Sequence, residues 1–387
     1  MLRQFWLKWK SIDWSVVLIL ICLMVFSTLL VHSAIQSQGP GYSGYTKRNV
    51  LIYAIGFVAL FATSFVNYRL LVKGAVFFYV AGVASLVLVL RYGSNINGAT
   101  GWFKVPGTDF YVQPAEVMKL VLILTVAWLL SKRRGEPLRL IKDVLPLLAV
   151  VFIPFALVMR QPDLGNAIIY LVIVTGMLWI GNIKYLHALI GIALIVASVV
   201  GGYYLYQTYH DEIYAFLEKR DSEHWVRRID TFLYPDQVSS DDRHQIQNSL
   251  IAIGSGGLTG EGYLQGEYVH KRFVPLTYSD SIFVVVAEEF GFIGCSVLLL
   301  LYFLLIYRMI WIAIQCDHFS GAFLVVGIVS MFVFQAFQNI GMLLGIMPLT
   351  GITLPFISYG GSSLLINMAS VGLVMSTRLY KEKPSAV

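Results

Sequence analysis

Ten apolar runs, near residues 14–34, 50–66, 72–90, 114–131, 143–159, 165–182, 185–206, 281–308, 319–346 and 353–376, divide this chain. Each is long enough, at about 17–25 residues, to cross a bilayer as a helix. With no water in the hydrocarbon layer, backbone N–H and C=O groups must be satisfied internally, so such runs dictate helices. Of the 387 residues 57% are hydrophobic and 13% charged, against about 25% charged in soluble domains. The chain therefore reads as an all-α membrane protein with about ten transmembrane helices in a single membrane domain, 1–387. The first run exceeds a signal-peptide core of about 7–15 residues and is expected to remain as an anchor. The two longest are expected to contain breaks or interfacial turns.

Charge sets the expected orientation. If the N-terminus is cytoplasmic, the inner side holds Arg3, Lys8, Lys10, Arg69, Lys73, the stretch Lys132 to Lys142, Lys184, Arg308, Arg378, Lys381 and Lys383. The short outer loops hold only Lys47, Arg48, Arg91, Lys104 and Arg160. That asymmetry places both termini in the cytoplasm. Because the net charge of +6 is spread over many loops, it points to no nucleic-acid partner. Cys22, Cys295 and Cys316 all avoid the outer loops, so no disulfide framework is implied.

The one long connection is the outer loop 207–280. Its first part offers Phe216, Leu217, Trp225 and Phe232 to a helix lying in the headgroup plane, or equally to an amphipathic helix packed on the bundle. Its middle is polar. Its last part, NSLIAIGSGGLTGEGYLQG, reads as an apolar turn running into glycines that dips toward the membrane, with a flexible linker as the alternative.

Polar groups interrupt the apolar pattern at few places. Asp280 is the last polar residue but one before a long apolar run, and Glu288 and Glu289 follow inside it. An ionisable group at membrane depth costs about 2.5–3.5 kcal/mol on insertion scales and usually faces a working cavity. Glu116 and Lys119, three apart on a helix, share a face. Arg160 and Asp163 lie at a break between apolar runs, and Pro348, Pro355, Gly360, Gly361, Ser362 and Ser363 imply a bent or re-entrant junction. Each has a structural alternative: an ion-pair knot for Glu116, Lys119 and Asp163, packing for the two glutamates, a plain kink for the junction, and helix capping for Asp280. With the orientation above, Gly98–Trp102, Gln113–Glu116, Gln161–Gly165, Asp280 and Pro355–Ser363 all fall at outer ends. One outward polar cavity with an acid at its rim is expected.

A carboxylate beside such a cavity suits removal of a proton from an alcohol. Inverting glycosyl transfer needs that step, and an anionic leaving group would need cations. Arg48, Lys119, Arg160, Lys271 and Arg272 are the outer-face candidates. No Asp-x-Asp pair or His/Cys cluster has metal-ligand spacing. No organic cofactor is expected; a divalent cation, Mg or Mn, bridging substrate phosphates stays open.

The segments QPAEVMKL, RQPDLG, HQIQNSLIAIGSGGLTGEGY, LTYSDSIFVVVAEEFG and MPLTGITLPFISYGGSS together resemble the SEDS proteins (shape, elongation, division and sporulation). The resemblance runs from about the first crossing to the last. It implies a peptidoglycan glycosyltransferase that polymerises lipid II on the outer face of the bacterial cytoplasmic membrane, most like the elongation branch. It also implies partners: a class B penicillin-binding protein, the nascent glycan and other elongation-complex membrane proteins. The family's essential acid falls on Asp280, its Glu and Lys of the fourth crossing on Glu116 and Lys119, and its motif aspartate on Asp163. Gln245 and Ser249 belong to the matched loop run, and Asn339, Pro348, Pro355, Ser358, Gly360 and Ser362 to the C-terminal signature region. The chain departs from the family pattern at Gly101, where many members carry a basic residue, at Asn166 and Asn248, and at Ser281, where a phenylalanine is usual. A lipid II flippase and a non-catalytic scaffold are the rival readings, and the division and sporulation branches the alternatives within the family.

Overall fold

The apolar runs become helices whose ends are set by the residues flanking them. The computed structural model describes residues 9–36, 38–96, 99–108, 110–218, 226, 229–230, 233–234 and 241–381. Arg3, Lys8, Gly98, Trp225, Phe232 and Lys383 lie outside these. The first half holds α1 (Trp14–Ile35), α2 (Tyr45–Phe65), α3 (Tyr68–Lys73), α4 (Ala75–Tyr92), α5 (Pro114–Ser131), α6 (Leu145–Met159) and α7 (Leu164–Ile180). There follow α8 (Tyr185–Thr208), α9 (His210–Glu218), α10 (Asp241–Ser255), α11 (Glu267–His270), α12 (Ile282–Ile314), α13 (Phe319–Leu343) and α14 (Gly361–Leu379). Asp13 caps α1 at Ser15 N, and Asp163 caps α7 at Asn166 N. Pro114 opens α5, where its missing N–H is no loss.

Among the described residues, eight helices are long and apolar enough to cross a membrane. α7, of 17 residues, and α14, of 19, complete the ten expected runs. α5 is central, flanked by α4, α7 and α13, while α14 lies along α2 and α12 against α1 and α13. At one end, buried Asp13 pairs with Arg308 at 2.6 Å and with Arg378, tying α1, α12 and α14 together. α8 is the contrast: its apolar window contains no buried residue. α9, which carries exposed Phe216, likewise buries no residue.

Three features depart from a plain bundle. A small antiparallel sheet, β1 (Ser94–Ile96), β2 (Ala99–Lys104) and β3 (Tyr111–Val112), joins α4 to α5, with Ser94 opposite Trp102 and Phe103 opposite Val112. Strands this short leave little trace in a pattern search. The last helix starts at Gly361 rather than near 353, because residues 344–360 are irregular. Their carbonyls are satisfied one by one from neighbouring helices: Ser27 Oγ donates to Ile357 O at 2.7 Å, Gln338 Nε2 to Pro348 O at 3.0 Å, and the Tyr53 and Tyr302 hydroxyls to Phe356 O and Pro355 O. Such backbone persists at membrane depth only when protein supplies those partners.

The third is a break inside α12. Gly291 has φ +62°, outside helical geometry. The backbone freed there pairs with the glycine-rich stretch after α10: Glu261 N donates to Glu288 O at 2.9 Å, Gly262 N to Glu289 O at 3.1 Å and Phe292 N to Gly257 O at 2.9 Å. Gly260, at φ +83°, approaches so closely that a Cβ would stand 2.2 Å from Glu289 O. The glycine-rich segment, for which the sequence alone leaves a flexible linker as the alternative, is thus fixed against α12.

Candidate active site

At the end opposite the Asp13 cluster a cavity of about 770 Å³ opens between α2, β2, α5, α7, α10 and the irregular segment before α14. Its wall draws Trp102, Gln113, Glu116, Asp163, Asp280 and Gly360 to Ser363 from the five sequence-distant clusters. Arg48, Gln245, Asn166 and Thr350 to Thr353 also line it.

Three carboxylates reach this wall and differ in what answers them. Glu116 pairs with fully buried Lys119 at 2.7 Å, an ion pair by distance whose alignment is poor for a hydrogen bond. Asp163 Oδ2 accepts from Gln113 Nε2 at 2.7 Å and Asn166 Nδ2 at 2.8 Å, while Oδ1 accepts from Asn166 N at 3.0 Å. Burial raises its pKa, and the Asn166 bonds offset part of that rise. Glu116 and Lys119 therefore pair within α5, and amides rather than a cation hold Asp163. Asp280 is the exception: its Oδ1 is buried without a hydrogen-bond partner among the described residues. Burial lifts its pKa to about 6, against a smaller opposing pull from its own amide and that of Ser281.

Asp280 is held by its backbone instead. Fully buried Asn339 donates through Nδ2 to Asp280 O at 2.7 Å and to Ile352 O at 2.7 Å. Ser358 Oγ donates to Ser279 O at 2.6 Å, and Tyr359 N to Tyr278 O at 3.0 Å. The acid is thereby pinned to the irregular segment, leaving its side chain on the cavity wall. Ser281, not Asp280, is the N-cap residue of α12, and it makes no side-chain cap bond.

The remaining sequence candidates divide. Arg48, Gln245 and Ser362 line the cavity, with Gln245 Nε2 donating to Ser281 Oγ at 3.4 Å. Asn339 and Ser358 act on backbone carbonyls and are absent from the lining, and Ser249 Oγ donates to Gln245 O within α10 at 2.7 Å. Arg160, Lys271 and Arg272 are exposed and off the wall: Arg160 caps α6, and Lys271 pairs with Glu267 one turn away. Of the departures, Asn166 keeps a polar contact through Asp163, Asn248 donates to Phe273 O at 2.8 Å, and buried Ser281 meets Gln245. The sequence reading missed the aromatic side of the cavity. Tyr45 stacks on Tyr359 with centroids 4.6 Å apart, and Tyr278 meets both near Asp280. Tyrosines beside the motifs, in GYTK, LTYSD and ISYGG, were the available signal. Among the described residues no three His, Cys, Asp or Glu side chains gather as metal ligands.

Comparison with known proteins places this geometry. The family of FtsW, RodA and SpoVE, described as cell cycle protein, matches residues 10–383. Peptidoglycan glycosyltransferase MrdB of Escherichia coli strain K12 is 32% identical over 380 residues, covering 98% of this chain and 96% of the relative. Two solved structures are similar in fold. One chain of a peptidoglycan synthase complex, studied for how it coordinates polymerization and crosslinking, gives a TM-score of 0.76 at 27% identity, covering 96% of this chain and 99% of that one. The rod shape determining protein RodA of Thermus thermophilus gives 0.69 at 28% identity, covering 97% and 99%.

Proposed function

Because the chain belongs to the FtsW, RodA and SpoVE family of cell cycle proteins, we propose that Asp280 is the general base of a peptidoglycan glycosyltransferase. The enzyme joins lipid II units into glycan strands. The carboxylate takes the proton from the acceptor sugar's 4-hydroxyl; the freed oxygen bonds to the donor's anomeric carbon, and the bond to the pyrophosphate oxygen breaks. A base with a pKa of about 6 is largely ionised at neutral pH yet close enough to it to accept a proton efficiently. The observation that carries this reading is Asp280 Oδ1, buried on the cavity wall with no hydrogen-bond partner among the described residues, where Glu116 has Lys119 and Asp163 has its amides.

Arg48, on the same wall, stabilises the departing pyrophosphate, and a divalent ion carried by the phosphates would share that charge. The Glu116–Lys119 pair and the Asp163 amide cluster keep the far wall polar and fixed. The positive-inside pattern supports a cytoplasmic location for both termini and an outward-facing cavity. Similarity to a rod shape determining protein supports a role in elongation, and similarity to a chain of a synthase complex supports a class B penicillin-binding protein as partner.

Purified protein given labelled lipid II in detergent, with no bilayer, should make glycan strands, and Asp280→Asn should make none. Unchanged polymer from that variant removes Asp280 from the base role. Transport of lipid II across liposomes without polymer would indicate a flippase instead, and neither activity a scaffold.

A further inference from the structure

A second cavity, of about 360 Å³, lies near the C-terminal end of α5 and the start of α6. It is unrelated to the site above. Its wall combines Lys132, Arg133 and Lys142 with Leu129, Leu130, Leu138, Pro146 and Leu147. Asp143 is the one carboxylate there, and it is already used: Arg133 Nε donates to it at 2.6 Å and Arg139 N at 2.8 Å. It therefore does little to neutralise Lys132 and Lys142. Over 132–143, Lys132, Arg133, Arg134, Arg139 and Lys142 stand against only Glu136 and Asp143.

The local fold opens this space deliberately. A π-helical turn, Leu140–Val144, precedes α6 and carries Lys142 to the rim. Lys132 sits over the Trp128 ring at 3.3 Å, which keeps its ammonium near the end of α5. Ile141 and Leu145, next in sequence to Lys142 and Pro146 of the wall, are 75% and 57% exposed, so apolar side chains flank the cationic ones.

We propose that this groove binds the phosphate headgroup of an anionic phospholipid, with Lys132 and Lys142 on the phosphate and an acyl chain along the leucine wall. Cations above apolar walls match a molecule that is anionic at one end and hydrocarbon at the other. A free phosphate would use the lysines but not the leucines. In the orientation proposed above the groove meets the cytoplasmic leaflet, where anionic lipids concentrate.

The test is native mass spectrometry of the full chain in detergent, titrated with phosphatidylglycerol, phosphatidylcholine or inorganic phosphate. Phosphatidylglycerol should bind in preference to phosphatidylcholine, and excess inorganic phosphate should not displace it. Lys132→Gln with Lys142→Gln should weaken phosphatidylglycerol about thirtyfold, at about a fivefold loss per lysine. Lys73→Gln with Lys184→Gln, the same charge loss at other exposed sites, should leave binding unchanged. Equal binding of the two lipids, full affinity in the Lys132/Lys142 variant, equal weakening by the control pair, or displacement by inorganic phosphate would each overturn the proposal.

Discussion

Asp280 and Glu288 are eight residues apart, at the start of the same apolar run, and their surroundings are opposite. Glu288 is fully buried, and both its oxygens are used: Oε1 accepts from Tyr268 N at 2.6 Å and Oε2 from Val269 N at 3.1 Å. It closes the N-terminus of α11 and so locks the glycine-rich segment to α12. Glu289 beside it accepts from Ser33 and lies 3.7 Å from His270. Asp280 lies on the cavity wall and has a buried oxygen with no hydrogen-bond partner among the described residues. Burial does not separate the two acids, nor does one unpaired oxygen, since Glu289 Oε2 is also buried without a hydrogen-bond partner among the described residues. Place does, because Asp280 lines the cavity and the two glutamates do not.

Opposite outcomes are expected when each acid is neutralised. Asp280→Asn should lower polymerisation by about 10²–10⁴-fold, the usual worth of a general base. The same change should raise thermal stability above pH 6. A group whose folded pKa is raised, here from 3.8 to about 6, loses folding stability as pH climbs through that window. At about 1.4 kcal/mol per unit the gain is bounded near about 3 kcal/mol. Melting curves at pH 5 and pH 7.5 read it, and a variant less stable than wild type at pH 7.5 would break the contrast.

Asn339→Leu comes next. It removes both amide bonds to Asp280 O and Ile352 O but leaves the carboxylate in place. A displaced base costs about 10²-fold in rate, so turnover should drop by that order while the pH dependence keeps its shape. A shape change would mean that Asn339 acts on the proton itself. Glu288→Gln should instead cost about 1–3 kcal/mol of stability, because its amide offers one acceptor oxygen to the two N–H groups that Glu288 answers, with polymerisation by the folded fraction within about threefold. Lys271→Ala, in an exposed pair with Glu267, should change neither melting temperature nor rate beyond error.

The same contrast explains what the sequence disclosed. Apolar runs are legible because a helix satisfies its own backbone in lipid, so α1, α2 and α4 to α8 fall close to where hydropathy puts them, while the six-residue α3 matches no run. Residues 353–360 are as apolar as a helix start, yet their carbonyls are met by Tyr53, Tyr302 and Ser27 from distant segments, which no local pattern reports. Asp280 stood out as an acid at the mouth of a long apolar run. Asn339 and Ser358 resembled substrate contacts because a polar side chain in a motif does not reveal that its partner is a backbone carbonyl. Arg160 and Lys271 occupied loop positions expected to face outward, but loop position does not fix the direction in which a long cationic side chain points.

The most direct test is the pH dependence of lipid II polymerisation by wild-type protein between pH 4.5 and 8, under single-turnover conditions. The rate should rise tenfold per unit below about pH 6 and level off above it, following ionisation of Asp280. A rate that stays flat down to pH 4.5, or rises only through pH 8, would contradict proton abstraction by this carboxylate.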